Sequence, residues 1–368
     1  MKARLTLLLL CATLALGIDR LVGVACRSSG LARQVVDIQH PATLLAKLDE
    51  LRRFDGRKVV LLGDSLVYGG ILEDFGDRLW RQHNLAVAIE AQCRQRWPNE
   101  NVLVMNLGIN GALPCDIEKL APLVASCKVD CIALDIHLRP FSSDFAAEAQ
   151  QFARPWLNEL SLDSQQRPRW QPATEARDLN AAVSAWFVEH SEIFRTRHLL
   201  QEYIVHTPES KTYRNWRSPP SVQSENDIDL QVMLKLAQLK NRLTSVDLSA
   251  SHPQVAAFQR TLADLNHRGQ PFVVFYAKEN PDQVYDVFEK ERHDRLYSQL
   301  VGMVQRHQNE SNRYLPPIDE LDGGHFLDFT HLNGEGYQIL ARKLVEMLPA
   351  GSNPVALASQ PARATSER

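Results

Sequence analysis

Two short stretches of this chain hold side chains that together could move an acyl group. The first is Gly63-Asp64-Ser65-Leu66, directly after the apolar run Lys58–Leu62. A serine hydroxyl is a weak nucleophile. It needs a neighbouring base, and donors for the oxyanion its attack creates. The run before it reads as a buried strand, and Gly63 permits a sharp turn at its end. That sets Ser65 on the rim where open parallel sheets bind ligands. A helix starting there would aim its first amides at developing negative charge. The plainer alternative is that Asp64 or Ser65 merely caps that helix.

The second stretch is Asp328-Phe329-Thr330-His331, followed by Leu332-Asn333-Gly334-Glu335-Gly336-Tyr337. An imidazole serves as general base to a serine when a carboxylate accepts from its other nitrogen and fixes the tautomer. Asp and His three residues apart on a turn before a helix can face one rim. Taken alone, Asp328 reads as a surface charge and His331 as a loop histidine. Joined to Ser65, they complete a base and its orienting acid.

Strands and helices alternate around these residues. Leu85–Trp97 has helical periodicity and stops at Pro98, and Val102–Leu107 is strand-like and runs into Gly108-Ile109-Asn110-Gly111. Asp116–Ala125 reads as helix and Val129–Ile136 as a third strand. That rhythm predicts an α/β chain with a parallel sheet and helices on both faces. From 143 to 265 helix formers dominate, with a loop signal at Ser218-Pro219-Pro220-Ser221, so this span reads as a helical insertion. The sheet resumes at Pro271–Tyr276, a long helix follows over 283–307, and Phe326–Phe329 leads to a last helix over 334–348. The expected layout is an export segment over 1–26, a partly helical linker over 27–55 and a catalytic body over 56–349. A disordered tail over 350–368 completes it.

Gly63-Asp64-Ser65-Leu66 resembles the first conserved block of the SGNH (GDSL-type) hydrolases. Asp328-Phe329-Thr330-His331, with Gly336-Tyr337 after it, resembles their C-terminal block, and Asn106-Leu107-Gly108 fits the glycine after their second strand. The resemblance implies a flavodoxin-like three-layer α/β/α sandwich and ester chemistry without cofactor or metal. By that likeness Ser65 attacks an acyl carbonyl, His331 relays the proton and Asp328 orients His331. The backbone amides of Ser65 and Gly108 form the oxyanion hole. One block departs. Where the family carries an asparagine as a further donor, this chain has Leu134-Asp135-Ile136-His137, placing His137 there. His137 could donate in its stead, Asn110 could do so from the neighbouring loop, or His137 could be purely structural. Loss of one such donor costs about 3 kcal/mol of transition-state stabilisation, which would slow attack by water.

Composition narrows the partners. The net charge is −3, with 44% hydrophobic and 23% charged residues, and no basic stripe suggests nucleic acid. Lys2 and Arg4 precede the uncharged run Leu5–Ile18, the pattern of an export segment. Asp19-Arg20 interrupt it before the length of a spanning helix. Gly23 and Ala25 suit a signal-peptidase site, so a cleaved signal and a retained anchor both fit. Cys93, Cys115, Cys127 and Cys131 suit two disulfides or four buried thiols equally. His325 reads as a loop residue. Tyr213 and Trp216, with Arg214 and Arg217, fit a glycan cleft or plain packing, and Lys278-Glu279-Asn280-Pro281 borders the same rim. Together with the family resemblance these features point to an exported envelope esterase or O-acyltransferase. Its substrate would be an acylated small molecule or polysaccharide, with membrane association through the N-terminus. The alternative is a catalytically weak glycan-binding or accessory subunit of an acyltransferase system.

Overall fold

The computed structural model describes residues 2–36, 38, 40–145, 147, 154–171, 179–206, 237, 239–276 and 278–349. Strands in chain order are Arg57–Leu62 (β1), Val102–Asn106 (β2), Cys131–Ile136 (β3), Leu160–Leu162 (β4), Pro168–Trp170 (β5), Phe272–Tyr276 (β6) and Asn312–Leu315 (β7). The longer helices are Lys2–Ser28 (α1), Pro41–Arg53 (α2), Leu85–Arg96 (α3), Pro114–Ala125 (α4), Leu179–His190 (α5), Glu192–His206 (α6), Pro253–His267 (α7), Lys290–Gln305 (α8) and Gly334–Met347 (α9).

β1, β2, β3, β6 and β7 form one parallel sheet in the order β2-β1-β3-β6-β7. With the small β4–β5 hairpin set aside, this is the doubly wound order 2-1-3-4-5. The strands are apolar on both faces, as strands covered by helices on both sides must be. Val60, Leu62, Ile132 and Leu134 face the layer of α2, α4, α7 and α8, while Val59, Leu61, Cys131 and Ala133 face α3 and α9. The expected three-layer α/β/α sandwich is therefore what the chain forms.

Several expectations need revision. The sheet-covering layer resumes inside the span taken as insertion: α7 packs on α4, because Val255, Phe258 and Leu262 lie in the same core as Leu120 and Val124. The insertion also contains a short antiparallel hairpin, Leu160↔Trp170. The helix expected over 283–307 breaks at Phe288 and Glu289, whose extended backbone separates one turn from α8. All six cysteines are free. Burial pushes the thiols of Cys93 and Cys131 up to about 12 and that of Cys127 up to about 11, so these are packing residues rather than reactive ones. The segment 207–236, with Tyr213, Arg214, Trp216, Arg217 and Ser218 in it, and the tail 350–368 lie outside the described residues. Among the described residues, no helix is long and apolar enough to cross a membrane.

One contact ties α9 to the helical turn that follows the first strand. Tyr337 on α9 is fully buried, and its hydroxyl donates to the carbonyl of Leu66 at 2.8 Å. Tyr337→Phe strips that buried carbonyl of its donor, which costs about 1–3 kcal/mol. Urea denaturation followed by circular dichroism should show the midpoint falling with the slope unchanged.

Candidate active site

β1 ends at Leu62, and the chain turns through Gly63 and Asp64 into the single helical turn Ser65–Tyr68. Asp64 caps that turn by accepting from the Leu66 amide at 3.1 Å. The plain capping role is thus real for Asp64, and it leaves Ser65 at the rim with its hydroxyl available. Gly108, at the end of β2, lies against the backbone of the same turn. A Cβ on it would fall 2.7 Å from the carbonyl carbon of Val67, so only glycine allows this approach.

The C-terminal loop closes on itself through a bridge between Phe326 and Leu332, and through the Leu327 amide, which donates to the His331 carbonyl at 2.8 Å. Inside it Asp328 Oδ1 accepts from the amides of Thr330 and His331, both at 2.9 Å. The Lys278-Glu279-Asn280-Pro281 segment holds this loop from the side. The Asn280 amide donates to the Phe329 carbonyl at 2.8 Å, and Lys278 Nζ donates to the carbonyls of Ile318 and Leu321.

The two stretches meet. Ser65 Oγ lies 2.8 Å from His331 Nε2, across 266 residues of sequence. His331 Nδ1 lies 2.8 and 2.9 Å from the two oxygens of Asp328. Nδ1 has a carboxylate to donate to, which leaves Nε2 to accept from the serine. Burial alone would raise the Asp328 carboxyl. The hydrogen bond and charge of His331 and the two backbone amides outweigh it and hold this group well below the usual carboxylate range. Asp328 therefore stays ionised beside an imidazole that can take the Ser65 proton.

The expected oxyanion donors divide. The Ser65 amide has no hydrogen-bond acceptor among the described residues. The Gly108 amide does: it donates to Asn106 Oδ1 at 2.8 Å, while Asn106 Nδ2 donates to the Val67 carbonyl at 2.7 Å. His137 is occupied too. Its Nε2 donates to Asp64 Oδ2 at 2.7 Å, and its Nδ1 accepts from the Arg139 amide at 3.3 Å. His137 thus supports the Ser65 turn from below and is not aimed at an oxyanion. Asn110 is exposed, and its carbonyl accepts from Arg154. His325 pairs with Asp322 within its own loop, at 2.8 Å.

Asn106 and Asp135 were not legible as site residues. Asn106 ends a strand, where a polar side chain in an apolar run was the available signal. Asp135 lies beside Asp64 and His137, with its carboxyl oxygens closed off from solvent. Burial first, and then repulsion from Asp64, push its carboxyl well above the usual range. The neighbouring Asp64 carboxyl is held low by His137, Arg139 and the Leu66 amide against the opposing effect of burial. Two carboxylates and an imidazole within 4.8 Å could also hold a cation, but Asp64 already spends both oxygens on His137 and Leu66. A void of about 30 Å³ adjoins this cluster. A larger cavity of about 850 Å³ lies elsewhere, between Ser28–Gly30, Trp80 and Asn106, and does not include Ser65.

No protein-family model matches the chain, and no curated protein does. Among solved structures it is similar to LAE5, an alpha/beta hydrolase enzyme from the metagenome of Lake Arreo, Spain. The identity is 12% and the TM-score 0.38, covering 82% of this chain and all of the other. It is also similar to BT4096, a gut microbial diltiazem-metabolizing enzyme, at 12% identity and TM-score 0.36, covering 79% of this chain and 46% of the other. At that distance the chemistry must be argued from this chain's own geometry.

A folded chain that keeps the Asp135 proton, while the unfolded chain releases it near the ordinary 3.8, binds more protons when native. Its stability then falls as pH rises above about 4. Asp135→Asn removes this dependence and leaves an amide able to donate to Asp64. The variant should melt above the parent near pH 7, with the gap closing towards pH 4. Thermal scans across that range check it, and parallel curves would mean Asp135 is ionised in the fold.

Proposed function

We propose that the chain is an SGNH-type serine esterase or O-acyltransferase, acting on small acyl esters of cell-envelope glycans through an acyl-Ser65 intermediate. The observation that carries this reading is the unbroken hydrogen-bonded series Ser65–His331–Asp328 at the rim of a parallel sheet. Ser65 Oγ attacks the acyl carbonyl as its proton passes to His331 Nε2. The tetrahedral oxyanion takes the Ser65 amide, and collapse expels the alcohol, which receives the proton back from His331. In the second half His331 deprotonates either water or a sugar hydroxyl, which attacks the acyl-serine and frees Ser65. Asp328 stays ionised throughout and steadies the imidazolium.

Transfer to a sugar hydroxyl is favoured over hydrolysis by the donor arrangement. With the Gly108 and His137 donors engaged elsewhere, a small nucleophile such as water meets a weakly stabilised transition state. A bound acceptor gains the benefit of proximity instead. An exported setting is supported by the charged start and uncharged run of the N-terminal sequence.

The same occupied donors favour one other reading, a glycan-holding subunit with little turnover of its own. A fluorophosphonate probe followed by peptide mass spectrometry should label Ser65 and no other serine. Ser65→Ala should abolish labelling and bring p-nitrophenyl acetate cleavage down to the uncatalysed rate, with His331→Ala lowering cleavage by about 10³-fold or more. Equal rates for parent and Ser65→Ala, with no labelling, would replace the enzyme reading with the binding one.

A further inference from the structure

The two charged residues that interrupt the N-terminal apolar run have defined partners in the fold. Asp19 is buried at 8% exposure. It caps α6 from outside that helix: Oδ1 accepts from Ile193 N and Oδ2 from Glu192 N, both at 3.0 Å, and Oδ1 also accepts from the Ser191 hydroxyl. The side chain of Glu192, 7% exposed, in turn draws Arg27 to 3.0 Å and Arg20 to 3.8 Å from α1, with Arg53 of α2 also at 3.8 Å. The two helices touch at Gly23, where a Cβ would fall 2.7 Å from Glu192 Cγ. Cys26 is buried in the apolar seam of Leu31, Ala46 and Leu199.

The first half of α1 is the opposite. No charge falls between Leu5 and Ile18, and Leu10, Leu14, Leu16 and Ile18 are 47–64% exposed. Apolar side chains left exposed along a helix among the described residues carry a standing hydrophobic cost in water.

We infer that residues 19–28 stay on the mature protein as a latch on the insertion helix α6, and that the apolar half of α1 is seated in the hydrocarbon of a lipid bilayer. Removal of the segment up to Ala25 would uncap α6 and take Arg20 from a buried carboxylate. Loss of the Asp19 carboxylate from the Glu192 and Ile193 amides costs stability, and Glu192 would keep Arg27, Arg53 and Arg195 but lose Arg20. The occupant of the apolar half follows from its charges. Lys2 and Arg4 stand at one end and Arg20, whose side chain is 74% exposed, at the other, as suits anionic lipid headgroups. The fourteen residues from Leu5 to Ile18 rise about 21 Å. That is short of a hydrocarbon core of about 30 Å, so the segment need not cross the bilayer to be held by it. None of this depends on chemistry at Ser65.

The full chain, expressed in a bacterial host with a tag at its C-terminus, tests the retention. Intact mass should show a protein that still contains Asp19 and Arg20, sedimenting with membranes through a high-salt wash and released by detergent. A mature N-terminus at Cys26 or later overturns the proposal. Purified full chain should float with phosphatidylethanolamine–phosphatidylglycerol vesicles, and failure to float overturns the bilayer assignment. Asp19→Ala and Glu192→Gln should each lower the melting temperature by roughly 2–4 °C and speed proteolysis between residues 29 and 40, with probe labelling at Ser65 unchanged. Variants that melt and resist protease like the parent overturn the latch.

Discussion

The Ser65–His331–Asp328 series depends on holding one imidazole between a hydroxyl and a carboxylate that the chain delivers from distant parts of its sequence. His331 and Asp328 come from one tight loop, so their pairing is local and inexpensive in entropy. Ser65 is 266 residues away, and bringing it to 2.8 Å requires the whole sheet to be in register. Parallel β1 and β3 set the height of the rim, β6 places the Lys278–Pro281 segment against the histidine loop, and Tyr337 clamps α9 to the carbonyl of Leu66. The fold is thus the device that converts a long-range closure into a hydrogen bond of ordinary length.

Beneath the rim, the Ser65 turn stands on polar groups rather than on apolar ones. Asp64 takes one bond from Leu66 and one from His137, and Asp135 lies alongside with its carboxyl pushed upward by burial and by Asp64. A buried cluster of this kind stabilises only when its members are mutually satisfied. Its geometry limits how far the turn can shift, because any movement of Asp64 must break a bond to the turn or to β3. Rigidity of the Ser65 turn is gained, while His137 is committed to Asp64 and the Arg139 amide. The same exchange occurs on the other side, where Asn106 braces the Val67 carbonyl and holds the Gly108 amide.

Much of the architecture was legible because it rests on periodicity and punctuation. The strands around 58–62, 102–107 and 131–136 are apolar runs ended by glycine or polar residues, and the helices between them have caps or prolines at their ends. Ser65 could be singled out because it lies just past a strand, and Asp328 and His331 because they lie on the turn just before the last helix. β7 escaped notice because Asn312–Leu315 is four residues long, polar at its start, and pairs with only one neighbour. The resting partner of the Gly108 amide was illegible for a different reason. Whether Gly108 N points at a ligand or at Asn106 Oδ1 depends on one side-chain rotamer two residues away, and no spacing rule encodes that choice. Likewise the four body cysteines allowed two chemistries by count alone. Their places on α3, α4 and the sheet decide for free thiols.

The commitment of the donors bears on how such a site could ever work. An oxyanion hole is effective when its donors are fixed before the reaction and cost nothing to reorganise. Here one amide is fixed, and the second would have to be released from Asn106. That release becomes favourable only if something else accepts from the Gly108 amide, and the acyl oxygen of a bound substrate is an acceptor of that kind. Binding energy from the remainder of a large substrate can offset the lost Asn106 bond, whereas a small ester has little to offer. On the proposed reading, such a site would turn over a small ester more slowly than a substrate large enough to rearrange these hydrogen bonds, because only the larger one would complete the donor set.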